Sequence, residues 1–159
     1  MTSIEDLLKE HPFFRDLNAS YIQSIARYGR SIEFAAQETV FREGEDANHF
    51  YIILQGKVAI NLHGSHRGPI TIQTIDSGDI FGWSWLIPPY KWRFNVKAVE
   101  TTRAIVLDGK SLRAECEKDH QLGYELFKRI AQVISKRLEH ARIQVLDVYC
   151  EKPLRKTKF

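Results

Sequence analysis

Between Ser31 and Leu107 the chain breaks into short β-rich runs, and no other feature limits its fold as much. Ile32–Phe34, Thr39–Arg42, Phe50–Leu54, Val58–Leu62, Ile70–Ile75, Phe94–Val99 and Ala104–Leu107 are rich in β-branched and aromatic residues. Turn signals stand between or after them: Gly44-Glu45-Asp46, Gln55-Gly56, His63-Gly64-Ser65, Ser77-Gly78-Asp79 and Asp108-Gly109. Many short strands at this spacing close into a sandwich, barrel or jelly roll. Gly44, Gly56 and Gly78 fall where the backbone commonly needs positive φ. They speak for fold, not for chemistry.

Helical spacing flanks this region on both sides. Thr2 and Glu5 have capping-box spacing ahead of Ile4, Leu7 and Leu8, which predicts a short helix stopped near His11-Pro12. Asn18 is the expected N-cap of a second helix with Tyr21, Ile22, Ile25 and Ala26 on one face, ending at Gly29. After the strands, Ser111–Lys118 reads as a short helix and about His120 to Tyr149 as a long one. Tyr124, Phe127, Ala131, Ile134, Leu138, Ala141, Val145 and Val148 alternate steps of three and four, a heptad register. A second stripe, Leu122, Leu126, Ile130 and Val133, covers only the first half of that helix. A partner helix is therefore expected along the heptad seam, making a homodimer. The competing reading folds the whole helix back on its own strands. The segments are thus 1–30 helical, 31–109 a β core, 110–150 helical with the dimerisation helix, and 151–159 a basic tail.

Composition narrows the class. The 159 residues are 43% hydrophobic and 27% charged, an ordinary globular balance. No apolar run has the length of a bilayer span, and the acidic start Met1–Asp6 lacks the flanks of a signal peptide, so a cytoplasmic location is expected. Cys116 and Cys150 lie in no metal-ligand spacing and read as reduced thiols. A net charge of +3 does not by itself imply nucleic acid. Lys152, Arg155, Lys156 and Lys158 make the tail basic, as expected of a helix end.

The order of short helix, β-roll and long helix resembles the cyclic-nucleotide-binding domain of the cAMP-receptor-protein (Crp/Fnr) superfamily. The resemblance is carried by His11-Pro12-Phe13-Phe14, by Phe41-Arg42-Glu43-Gly44-Glu45 with Phe50-Tyr51-Ile52-Ile53 and Gln55-Gly56-Lys57-Val58, and by Gly78-Asp79-Ile80-Phe81-Gly82. It implies a double-stranded β-helix, or jelly roll, with N-terminal helices and a long C-terminal helix. It also implies a ligand cassette over 78–98.

In the family that cassette holds a cyclic phosphate at the start of a short helix after the glycine matching Gly82, because a helix start offers unpaired donors. A glutamate after that glycine holds the ribose, and an arginine on the next strand pairs with the phosphate. Here Trp83 stands at the glutamate position and Trp85 replaces a small residue. Trp92 falls at the arginine position, with Arg93 one residue later, on the other face of a strand. A cyclic phosphate without its arginine would forgo about 3–5 kcal/mol. The candidate ligand-binding residues are therefore Phe81, Gly82, Trp83, Ser84, Trp85, Tyr90, Trp92 and Arg93, with Lys91 at the rim. Two occupancies fit them equally. The indoles fill the former nucleotide cavity, or they line a pocket for an aromatic or anionic metabolite. A cis bond at Pro88-Pro89 is compatible with the residues but not dictated by them.

Other signals are weak. His63 and His66 share a turn without further converging ligands, and His140 lies off the seam. Glu43, Glu45 and Asp46 fall short of a calcium loop. No nucleophile–base motif or P-loop is evident, so no enzyme activity, cofactor or metal is expected. The residues after Tyr149 are too few for a helix-turn-helix, which needs more than about 20. This chain is not expected to read DNA by that route, whether it is free-standing or part of a longer regulator. The expected role is a regulatory sensor for a small molecule other than ordinary cAMP, or a ligand-free dimeric module. Genuine cAMP or cGMP binding and a protein-interaction scaffold are the alternatives.

Overall fold

This computed structural model describes residues 2–64 and 68–156, the last six as backbone only. His66 and the side chains of the basic tail, including Lys152, Arg155, Lys156 and Lys158, lie outside the described residues. The chain forms two units, one reaching Gly123 and one beginning at Tyr124.

The first unit opens with α1 (Ile4–Glu10). Its N-cap is Ser3 and not Thr2: Ser3 Oγ accepts from the Asp6 N–H at 3.1 Å. Glu5, the residue expected to complete the box, pairs instead with Lys9 at 3.2 Å, one turn on. The cap moved by one residue because Asp6 also answers the Ser3 hydroxyl, at 2.8 Å. A 3-10 turn (Pro12–Phe14) follows, capped by the His11 side chain. The expected Asn18 cap opens α2 (Ala19–Ala26), with Ile22 and Ile25 buried. The helix stops three residues short of Gly29, which already pairs with Leu107 in the first strand.

Two antiparallel four-stranded sheets follow. One has the order β1 (Gly29–Phe34), β8 (Thr102–Asp108), β3 (His49–Gln55), β6 (Ile80–Phe81). The other has the order β2 (Thr39–Phe41), β7 (Asn95–Ala98), β4 (Lys57–Gly64), β5 (Gly68–Asp76). Their shared core holds Phe34, Phe41, Tyr51, Phe81, Trp92 and Val106, packed with smaller aliphatic residues. This is the jelly roll that the resemblance implied. Sequence periodicity did not reveal β6, because two residues carry no alternation. Gly44, Gly56 and Gly78 sit at φ 89, 110 and 85 degrees, the left-handed conformation expected of them.

Asp108-Gly109 proved to be a strand-to-helix junction. Asp108 caps α3 (Gly109–Lys118), which starts two residues before the expected Ser111. Asp119 then caps α4 (His120–Lys156), its Oδ1 accepting from the N–H groups of Gln121 and Leu122. The helix runs past the expected end at Tyr149. On α4, Leu122, Leu126 and Ile130 are buried and Val133 is half-buried. Along the heptad seam Ile134 is half-buried, and Tyr124, Phe127, Ala131, Leu138, Ala141, Val145 and Val148 are exposed.

Candidate functional site

The cassette begins where β6 ends. Gly82 has φ +80, and a Cβ there would lie 3.0 Å from Trp92 Cη2 and 3.1 Å from Tyr51 Cδ2. Only a glycine lets the backbone cross so close above these rings. Trp83 caps a 3-10 turn (Ser84–Leu86) with φ −94 and no side-chain hydrogen bond to the turn. Three residues of 3-10 geometry align few N–H groups, so the turn offers an anion much less than an α-helix start would. Trp83 and Ser84 are half-buried, whereas Trp85 is fully buried and packs on Phe50 at 5.5 Å. The Pro88-Pro89 bond is cis.

The return segment fixes the orientation of the next residues. The Trp92 N–H donates to Glu45 O, the Gly44 N–H to Trp92 O and the Ala47 N–H to Tyr90 O. The chain thus lies along the Gly44–Ala47 turn before β7 begins. Alternation then runs from there into β7. Trp92, Val96 and Ala98 are buried, Phe94 packs against the same core, and Arg93 is exposed. The Trp92 ring lies inside the roll, stacked on Phe41 at 3.7 Å with 7° between planes. Tyr51 and Phe81 stack beside it at 4.6 Å. Burial among these rings pushes the Tyr51 phenol up to about 12. The expected rim residue Lys91 pairs with the carboxylate of Asp46, outside the roll, and the hydrogen bond from Lys91 holds that carboxyl below its ordinary value.

The structure therefore brings Phe81, Gly82, Trp92 and Tyr51 together in the interior. It sends Trp85 toward α3 and Arg93 to the surface. Two residues escaped sequence reasoning. Arg113, on α3, donates from Nη1 to Trp85 O, and its Cζ lies 3.9 Å from the Tyr90 ring centroid. Gly109 seats Trp85: a Cβ there would be 2.6 Å from Trp85 Cβ. Nothing local in either position announces the contact. A separate open depression of about 320 Å³ lies beside α1, lined by Leu7, Glu10, His11, Leu54, Gln55 and Arg103, and contains none of the predicted ligand-binding residues. Among the described residues no group of His, Cys, Asp and Glu could hold a metal ion, and no helix is long and apolar enough to cross a membrane.

A two-sheet roll carrying a short cassette between β6 and β7, followed by a long helix, defines a class of β-roll domains. The family model described as "Cyclic nucleotide-binding domain" matches residues 31–119, more than half of the chain, and the chain belongs to that family. It is 31% identical over 138 residues to a protein named as a potassium channel of Rhodopseudomonas palustris, covering 86% of this chain and 32% of that protein. It is 22% identical over 145 residues to a CRP-like cAMP-activated global transcriptional regulator of Mycobacterium tuberculosis, covering 91% of this chain and 63% of the regulator. Among solved structures, one described as a cyclic nucleotide-binding protein from Geobacter metallireducens GS-15 superposes with a TM-score of 0.77 at 28% identity, over 87% of this chain and 99% of that one. The chain spans about a third of the first curated relative and under two thirds of the second. It is a cyclic-nucleotide-binding-domain regulatory module.

Proposed function

We propose that this module has a roll filled by its own aromatic side chains and does not grip cAMP in the manner of its family. It is a regulatory part and not a catalyst, and it works as a dimer through the α4 seam. The observation that carries the reading is the Trp92 ring, 3% exposed and stacked on Phe41 at the position where the family places the phosphate-binding arginine. Arg93, the nearest guanidinium in sequence, is exposed. A phosphate in the roll would meet rings where it needs a cation, and an unpaired buried anion is strongly unfavourable.

Titration with cAMP and with cGMP tests this, followed by tryptophan emission and by calorimetry. All three indoles of the chain lie within the cassette segment. The expected result is no saturable change up to millimolar nucleotide. Saturation in the micromolar range would overturn the reading.

One observation favours a second reading, a small ligand other than cAMP. Trp85 Nε1 is buried without a hydrogen-bond acceptor. A buried N–H left without an acceptor costs about 1–3 kcal/mol, which a small acceptor molecule would recover. A thermal-shift screen of aromatic and anionic metabolites addresses this reading, and a screen without a stabilising hit counts against it.

A further inference from the structure

A roll that holds no nucleotide needs some other means of keeping its cassette in place, and α3 supplies one. Trp85 rests on Gly109, where a Cβ would stand 2.6 Å from Trp85 Cβ and 2.9 Å from the Asn48 carbonyl carbon. One turn further along α3, the Arg113 guanidinium takes hold of the cassette at both ends. Its Nη1 donates to Trp85 O, within the 3-10 turn, and its face lies 3.9 Å from the ring centroid of Tyr90, where the loop turns back toward the strands. A guanidinium can do both at once, bonding through its edge and stacking through its plane, whereas an ammonium has no plane to stack. Tyr90 itself has φ 59, a conformation that non-glycine residues keep only when their surroundings impose it. Its carbonyl is fixed by the Ala47 N–H at 2.8 Å and its N–H by Ile87 O at 3.0 Å.

We propose that Arg113 is a latch that locks the cassette onto α3 without any ligand, through Trp85 O on one side and the Tyr90 ring on the other. The proposal rests on the filled-roll reading, since it gives the cassette a closed state that no nucleotide has to stabilise. The latch joins the cassette to the helix that leads through Asp119 into α4. Release of Arg113 is then the event that frees the cassette.

Hydrogen–deuterium exchange of the full chain, resolved by mass spectrometry, tests the latch. In Arg113→Ala, amides of residues 83–92 should exchange roughly tenfold faster, equivalent to about 1.4 kcal/mol of lost closure, while β4 and β8 stay unchanged. Arg113→Lys should open the same segment, because it keeps the charge and loses the plane. Tyr90→Leu removes the ring alone and decides the matter if Arg113→Ala fails to fold; it too should speed exchange in 83–92. Cassette exchange within about twofold of the parent in the variants that fold would overturn the latch. Micromolar cAMP binding by the parent would sink the filled-roll reading while leaving the exchange result to stand. Unchanged exchange without cAMP binding would sink the latch alone.

Discussion

Replacing Trp92 by alanine measures directly how full the roll is. The indole is 3% exposed, stacked on Phe41 at 3.7 Å, tilted against Tyr51 at 6.4 Å and roofed by Gly82. Truncating a fully buried tryptophan costs about 3–5 kcal/mol when its neighbours cannot collapse into the space. Collapse is hindered here, because the hole would be walled by Phe41, Tyr51 and Phe81, whose rings already pack on one another. The lost stacking contributes about 0.5–1.5 kcal/mol beyond area alone. The expected loss is therefore in the upper part of the range, about 4–5 kcal/mol, or roughly 8–20 °C in melting temperature for a chain of this size. Trp92→Phe should lose less than half as much. Urea denaturation followed by far-UV circular dichroism gives both values. Indole added to Trp92→Ala should raise its melting temperature in a concentration-dependent way, since a dry apolar cavity accepts an apolar ring. The parent should show no such rise. A Trp92→Ala variant within about 1 kcal/mol of the parent would refute the reasoning, because it would mean the ring fills no space the fold depends on.

Burial of His11 sets a pH dependence. Its Nδ1 accepts from the Phe13 N–H, so Nε2 carries the proton and donates to Ile53 O. Desolvation lowers its pKa below 6.5, against a smaller opposing pull from the Ile53 carbonyl and Asp79. The unfolded chain therefore takes up this proton first as pH falls. The stability from neutral His11 is complete above about pH 6.5 and declines below it until the folded pKa is reached. Melting temperatures between pH 7.5 and 5.5 should fall more in the parent than in His11→Asn, and equal slopes would exclude His11 as the source. Gly56→Ala should cost more than about 3 kcal/mol in urea denaturation, because at φ +110 its Cβ would lie 2.5 Å from Thr102 Oγ1 and 2.6 Å from Thr102 Cα. Gly44→Ala, at φ +89 with no atom within 4 Å, should cost only the backbone strain of about 1–2 kcal/mol. Equal losses at the two glycines would show that contact is not what separates them. On α4, Leu138→Glu should shift sedimentation to the monomer, whereas Ile143→Glu, also 50% exposed but off the heptad seam, should not. A monomeric parent at micromolar concentration would remove the seam altogether.

The parts of this fold that could be read in advance are those whose physics is local. Strands of four or more residues, such as Phe50–Leu54 and Ala104–Leu107, announced themselves as continuous apolar runs set off by turn signals. Turns with positive φ announced themselves through glycine, and α4 through its heptads. Failures occurred where one particular partner decides, whether three residues away or far along the chain. Ser3 and not Thr2 caps α1 because Asp6 answers it, and both hydroxyls look equivalent in a string. Ile80–Phe81 becomes a strand only because Tyr51 and Ile52 lie alongside. Gly109 looked like a turn residue, but its lack of a side chain admits Trp85 from 24 residues earlier (109 − 85).

The candidate site divides along the same line. The spacing set Trp92 and Arg93 on opposite faces of a strand; both stand ahead of β7, which starts at Asn95, yet Trp92 is buried and Arg93 exposed as that spacing implied. Which indole enters the roll could not be read that way. Trp83, Trp85 and Trp92 are alike in sequence, yet Trp83 is half-buried, Trp85 is buried beside α3, and Trp92 occupies the core. The difference comes from what meets each ring. Gly82 and Phe41 make room for one, Gly109 makes room for another, and Arg113 holds the backbone between them. An aromatic cluster in this cassette is thus two structures at once, a plug in the roll and an anchor on α3. Removing the plug should reduce stability with little effect on cassette exchange. Releasing the anchor should do the reverse, so the two measurements separate functions that the shared residue type conceals.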